Sequence, residues 1–186
     1  MISRLTLAEF WHSQPFDYLT TYSFNRGPQL STLREAIYKA IEELQQSVSP
    51  SRFLQQIKLK RQLAELEQQM RMGAYRKRLT NEQMVIDSTA EQITLIKPDS
   101  LEGSQLDTLF RALPKEVVYA ACPPTYRDAL AFYDEQDSLV SVLNICFSCD
   151  RMVTDTGQEI QADSTTYSAL SSYLTQLGHL IVPGER

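Results

Sequence analysis

Two cysteines three positions apart, in the run Cys146-Phe147-Ser148-Cys149, are the residues best suited to chemistry in this chain. That spacing serves metal knuckles and thiol–disulfide motifs alike. A tetrahedral zinc site needs further ligands. Cys122 ends a strand-like run and His179 follows Gly178, so Cys122, Cys146, Cys149 and His179 would complete such a set. The same cysteines also suit a thiol switch, an occasional disulfide, or plain burial as small apolar side chains. Strand geometry constrains all of these. Residues three apart on a continuous strand point to opposite faces, so Cys146 and Cys149 meet only if the strand ends in a turn near Ser148 or a bulge intervenes. Redox pairs of this spacing normally open a helix, whose N-terminus lowers the thiol pKa, and no helix is predicted here.

Three other groups invite a chemical reading. Residues 52–78 hold eight basic side chains (Arg52, Lys58, Lys60, Arg61, Arg71, Arg76, Lys77, Arg78) against Glu65 and Glu67, net +6. Residues 1–51 are net −1 and residues 79–186 net −10, so the total of −5 conceals a basic helix between acidic segments. Such a run is a solvated face docked on the acidic part of its own chain, or a surface for an acidic partner or nucleic acid. In the second case Lys58, Arg61, Arg71, Arg76, Lys77 and Arg78 are the contact residues. Asp128, Asp134, Asp137 and Asp150 could bind a divalent cation, or simply solubilise turns. Trp11, Phe16, Tyr18, Tyr22 and Phe24 make either a ligand platform or a packed cluster. The chain contains no H-E-x-x-H, Walker A, G-x-G-x-x-G or G-x-S-x-G motif. Its 6 glycines argue against phosphate-cradling loops, and no cofactor is implied beyond zinc at the cysteines.

The elements that must position these residues follow from periodicity. A short helix is expected at 5–12. After the turn at Arg26-Gly27-Pro28, Leu30, Leu33, Ile37, Ile41 and Leu44 form an amphipathic stripe, and Thr32 with Glu35 has capping-box spacing for its start. A second helix begins at Ser49-Pro50 and carries Leu59, Leu63, Leu66 and Met70. The two would form a helical hairpin, and a homodimer through these helices is a further arrangement. Met84 to Ile86 and Ile93 to Ile96 read as a β-hairpin. Ser104 would cap a helix carrying Leu106, Leu109, Phe110 and Leu113. Strands are expected at 117–121, 129–133 and 139–147, the last two joined by the polar run 134–138, with a short edge strand around Gly157. The final helix is capped by Asp163 or Ser164 and closed by Gly178.

Helices first and strands later indicate an α+β fold: an N-terminal helical hairpin followed by a small antiparallel sheet with two packed helices. The organisation read from this is a helical region at 1–80, with the basic helix at 50–78, and an α+β domain at 81–186. That domain holds a central hairpin at 128–149 and a C-terminal helix at 163–177. The composition, 42% hydrophobic and 22% charged over 186 residues, excludes collagen-like and wholly disordered chains. Glu9 and His12 interrupt any signal-peptide core, and no run approaches the roughly 18 apolar residues of a membrane helix. A cytoplasmic location is expected, in which the odd number of cysteines would be free thiols.

Cys122, the run Arg127-Asp128-Ala129-Leu130-Ala131-Phe132-Tyr133-Asp134, and Ile145-Cys146-Phe147-Ser148-Cys149 together resemble a group of small bacterial proteins with that cysteine and Phe-Tyr-Asp pattern. The resemblance covers roughly residues 115–180. It implies the hairpin, draws attention to the cysteines, and implies no reaction. The functional expectation is a non-enzymatic protein–protein interaction module of the bacterial cytosol. The alternative is a zinc- or thiol-dependent site on Cys122, Cys146 and Cys149, and a third reading is nucleic-acid binding through the basic helix.

Overall fold

The centre of the molecule forms where large and small side chains alternate along one hairpin. Strand β4 (Asp128–Tyr133) presents Leu130 and Phe132 to one face and Ala129 and Ala131 to the other. Strand β5 (Leu139–Cys146) likewise divides Leu143 and Ile145 from Val142 and Cys146. The two pair antiparallel, and both are buried on both faces over most of their length. The computed structural model describes residues 5–47, 57, 60–62, 64–65, 77–116 and 122–181.

Around this hairpin the described residues build a 7-stranded sheet. The other strands are β1 (Leu5–Thr6), β2 (Tyr18–Ser23), β3 (Glu91–Ile96), β6 (Arg151–Thr154) and β7 (Glu159–Gln161). Their order is β1-β7-β6-β5-β4-β2-β3, antiparallel throughout except for the parallel pair β1–β7. Among the described residues the named helices are α1 (Leu7–Ser13), α2 (Gly27–Ser47), α3 (Leu101–Phe110) and α4 (Ser164–Gln176). None of these helices is long and apolar enough to cross a membrane.

This corrects the expected architecture of a helical hairpin followed by a small sheet. The N-terminal segment is part of one large mixed sheet: β1 adds to one edge, and β2 sits between β3 and β4. Strand β2 is buried on both sides, so its sequence lacks the apolar–polar alternation of a half-exposed strand. Strands β2 and β3 are antiparallel neighbours, yet residues 24–90 lie between them. The helical segment is therefore an insertion between two adjacent strands rather than a leading domain.

Two cores flank the sheet. On one face α1, α3 and α4 bury Phe10, Trp11, Phe110, Tyr167 and Leu170 against Leu130, Phe132 and Ile145. Trp11 meets Phe110 edge-on with ring centroids 5.0 Å apart, and its indole N–H donates to Asp107 Oδ1 at 2.7 Å. On the other face Leu79, Met84, Ile86, Tyr126 and the cysteines pack on Ala129, Ala131 and Val142, so among the described residues irregular chain takes the place of helices. Asn144, fully buried there, accepts the Leu79 N–H at 2.7 Å and satisfies backbone that no ladder reaches.

Local rules account for most element ends. Thr6 and Glu9 form a reciprocal capping box at α1, and Asp163 caps α4 by accepting the Thr166 N–H. Helix α3 is capped by Ser100 rather than Ser104. Gly103 on that helix has no substitute, because a Cβ would collide with the Lys97 and Pro98 carbonyls. Helix α2 begins at Gly27, one turn ahead of the Thr32–Glu35 pair expected to start it. The run Met84 to Ile86 is no strand: Met84 has φ +57°, Ile86 makes an isolated bridge to Thr80, and β3 pairs with β2 instead. The edge strand expected around Gly157 is two strands, β6 and β7, joined by a turn at that glycine. The expected strand at 117–121 and most of the second helix lie outside the described residues.

Candidate functional site

The chemistry-bearing end of the sheet is built where β5 stops. After Cys146 the chain turns through residues 147–150, with Asp150 at φ +44°. This turn meets the condition for Cys146 and Cys149 to share a side, and both lie in the core beneath the irregular face. Cys149 is disulfide-bonded to Cys122, with Cα atoms 6.0 Å apart. Cys146 is a free thiol, 1% exposed. Its Sγ accepts the Thr125 backbone N–H at 3.3 Å and lies 3.2 Å from the Ser148 hydroxyl. That hydroxyl also donates toward Cys149 Sγ at 4.0 Å. Cys149 Sγ lies 3.6 Å from the Pro123 carbonyl oxygen. One serine hydroxyl therefore touches the free sulfur and one sulfur of the cystine.

This pairing corrects the expectation of three free thiols. An odd number of cysteines excludes a complete disulfide framework but leaves room for one bond and one thiol. It also divides the four residues considered for zinc. Cys122 and Cys149 are bonded to each other, and His179 faces a different set of residues. Among the described residues no three His, Cys, Asp or Glu side chains are grouped to hold a metal ion.

His179 is placed by the end of α4. Gly178, at φ +103°, turns the chain back, and the His179 N–H bonds to the Leu174 carbonyl at 3.0 Å. The imidazole enters the sheet's helix-covered side, where Nδ1 donates to Asp128 Oδ1 at 2.7 Å and Nε2 lies 2.9 Å from Thr21 Oγ1. Arg26 pairs with the second oxygen of Asp128 and donates to the Arg127 carbonyl at 3.0 Å and to the Leu180 carbonyl. Hydroxyl, imidazole and carboxylate in this order have the connectivity of an acyl-transfer triad. Access decides against that use: Thr21, Asp128 and His179 are all buried, and the adjoining cavity of 10 Å³ is about the size of one water. The network joins β2, β4, the end of α4 and the residue preceding α2.

No family model matches this chain, and no curated protein or solved structure matches it.

The remaining sequence candidates are distributed as follows. Lys58, Arg71 and Arg76 lie outside the described residues. Arg61 is exposed and pairs with Glu65 on its own helix at 3.1 Å. Lys77 and Arg78 are turned onto the chain itself: Lys77 pairs with Asp87 at 2.6 Å, and Arg78 donates to the Asp155 carbonyl. Arg78 also borders a cleft of 380 Å³ with Pro124, Tyr126, Arg151 and Glu159. Burial pushes the Tyr126 hydroxyl up to about 12, and Tyr126 packs in the same core as Cys146. Asp134 accepts the N–H groups of Gln136 and Ser138, and Asp137 accepts the Tyr18 hydroxyl. These carboxylates therefore order a turn. Trp11, Phe16 and Phe24 pack in the cores, and Tyr18 stacks on Tyr133 with centroids 5.0 Å apart.

Sequence reasoning missed Thr21 and Arg26, and gave Asp128 and His179 to different metal sites. The available signal was a histidine directly after a helix-closing glycine, a position that directs a ring back across the sheet end.

Proposed function

We propose that the chain is a protein–protein interaction module whose inserted helical segment is the contact surface. The observation that carries this reading is the placement of α2. It leaves from between two hydrogen-bonded strands that a short turn could have joined, and none of its described side chains is buried. A 21-residue helix is costly to hold in isolation, and most helical stability comes from packing of an apolar face. Here Leu30, Leu33, Ile37, Ala40 and Ile41 are half-buried on one stripe, while Tyr38 is 57% exposed. Arg26, immediately before the helix, is tied to Asp128, so the arm has a fixed base.

The partner is an acidic protein surface. Residues 52–78 carry net +6, and Lys77 and Arg78 at the end of the run dock on the chain's own acidic part. Of the contact residues expected from the sequence, Lys58, Arg61, Arg71 and Arg76 are the ones assigned to the partner. A photo-crosslinking side chain placed at Tyr38, with a control at exposed Leu113 beyond α3, tests the reading in the native host. Crosslinks to one protein at Tyr38, weakened by K58E/R61E/R71E/R76E, are expected. Equal yields at both positions, or crosslinks to nucleic acid alone, would refute it.

A further inference from the structure

We propose that Cys122, Cys146 and Cys149 form a thiol–disulfide exchange site, separate from the helical arm, in which Cys146 moves the disulfide and exposes Cys122 to an external disulfide. Three observations meet at this point. The turn after β5 places Cys146 and Cys149 on one side, and Ser148 Oγ touches both sulfurs at 3.2 and 4.0 Å. The Thr125 N–H donates to Cys146 Sγ at 3.3 Å and fixes the position of that sulfur beside the cystine. Exposure is also graded: Cys146 and Cys149 are 1% and 3% exposed, whereas Cys122 is half-buried beside exposed Pro123.

The grading gives the exchange a direction. Cys146 loses its proton, and its thiolate attacks Cys149 Sγ. A Cys146–Cys149 bond forms as the Cys122–Cys149 bond breaks, and the electron pair leaves on Cys122, which takes up a proton. No oxidant is consumed. The free thiol has moved from a buried position to a half-buried one. As thiolate, Cys122 then attacks a disulfide of an incoming peptide or small molecule. The products are a mixed disulfide on Cys122 and one released thiol. Exchange of this kind depends on the thiolate fraction and on access to the sulfur attacked. Cys149 is the shared sulfur, Cys146 the internal nucleophile and Cys122 the group that meets substrate.

The test uses the full chain purified without reductant. It is held at pH 8, acid-quenched, alkylated with maleimide and digested with trypsin. Cleavage at Arg127 and Arg151 separates the Cys122 peptide from the one carrying Cys146 and Cys149. Two populations are expected in the wild type: Cys122–Cys149 with label on Cys146, and Cys146–Cys149 with label on Cys122. Label on Cys122 should be lost in C146S. Incubation of the wild type with oxidised glutathione should give an adduct on the Cys122 peptide. A single Cys122–Cys149 species, with Cys146 labelled only after denaturation and no glutathione adduct, would overturn the proposal. So would three freely labelled thiols. The wild-type pattern alone decides, so a misfolded variant does not blunt the experiment.

Discussion

The two faces of the sheet are made by the same strands and differ in almost every other respect. The helix-covered face carries Leu130, Phe132, Leu143 and Ile145, while the positions between them on the opposite face carry Ala129, Ala131, Val142 and Cys146. Helices hold their axes well away from a sheet and need large side chains to fill the gap. Over the centre of β4 and β5, irregular chain meets small ones instead, with Tyr22 and Tyr133 at the side of the patch. It also brings unpaired backbone, which the buried Asn144 amide must satisfy. The large-residue face is thus the stability face. The small-residue face, with the polar Asn144 side chain inside, is the one that hosts the cysteines.

The sharpest way to break this comparison is Phe132→Ala. Its ring lies 5.2 Å from Phe16 and 5.7 Å from Phe10, fully buried. Removing it should cost about 3–5 kcal/mol and unfold both faces together in denaturant titration. A loss under about 1 kcal/mol would mean that the helix face is not the main source of stability. Next comes the cystine. Cys122→Ser opens a link between residues 27 apart and should cost about 2–4 kcal/mol, with the fastest new amide exchange in residues 122–126. Uniformly faster exchange across the helix face would contradict the division of labour.

Asn144→Ala sharpens the same division at smaller scale. It strands the buried Leu79 N–H and should cost about 1–3 kcal/mol. Hydrogen exchange should rise in residues 77–90 and remain unchanged in α1 and α4. Equal protection in the variant would show that the irregular segment is held by packing alone.

What could be read from sequence divides along the same line. Strands β4 and β5 were legible because two apolar runs flank Asp-Glu-Gln-Asp-Ser, and α4 because Asp163 and Gly178 mark its ends. These are local signals. Strand β2 was hidden because burial on both faces removes alternation, and β1, two residues long, exists only through its pairing with β7. The Thr21–His179 contact spans 158 positions and has no local signature. The cysteine positions were legible and their pairing was not. Spacing marked Cys146 and Cys149 as a pair, whereas the fold bonds Cys149 to Cys122 and leaves Cys146 beside them.

The smallest effect concerns the cap that starts α4 on the helix face. The Asp163 carboxylate accepts the Lys115 N–H at 2.9 Å and the Thr166 N–H at 2.8 Å. These bonds, the Lys115 one foremost, hold its pKa below the ordinary carboxylate value. A depressed folded-state pKa contributes stability that is fully present above the unfolded value of about 3.9 and is lost as pH falls through the folded one. Asp163→Asn keeps an N-capping oxygen and removes the charge, so it isolates this contribution. The variant should melt below the wild type by an amount that is constant above about pH 5 and shrinks under about pH 4, on the order of 1 kcal/mol at neutral pH. A difference that stayed constant into acid would assign the loss to changed hydrogen-bond geometry. The helix face would then owe its ordering at α4 to packing on Leu170 and Leu174 rather than to the charge at its first turn.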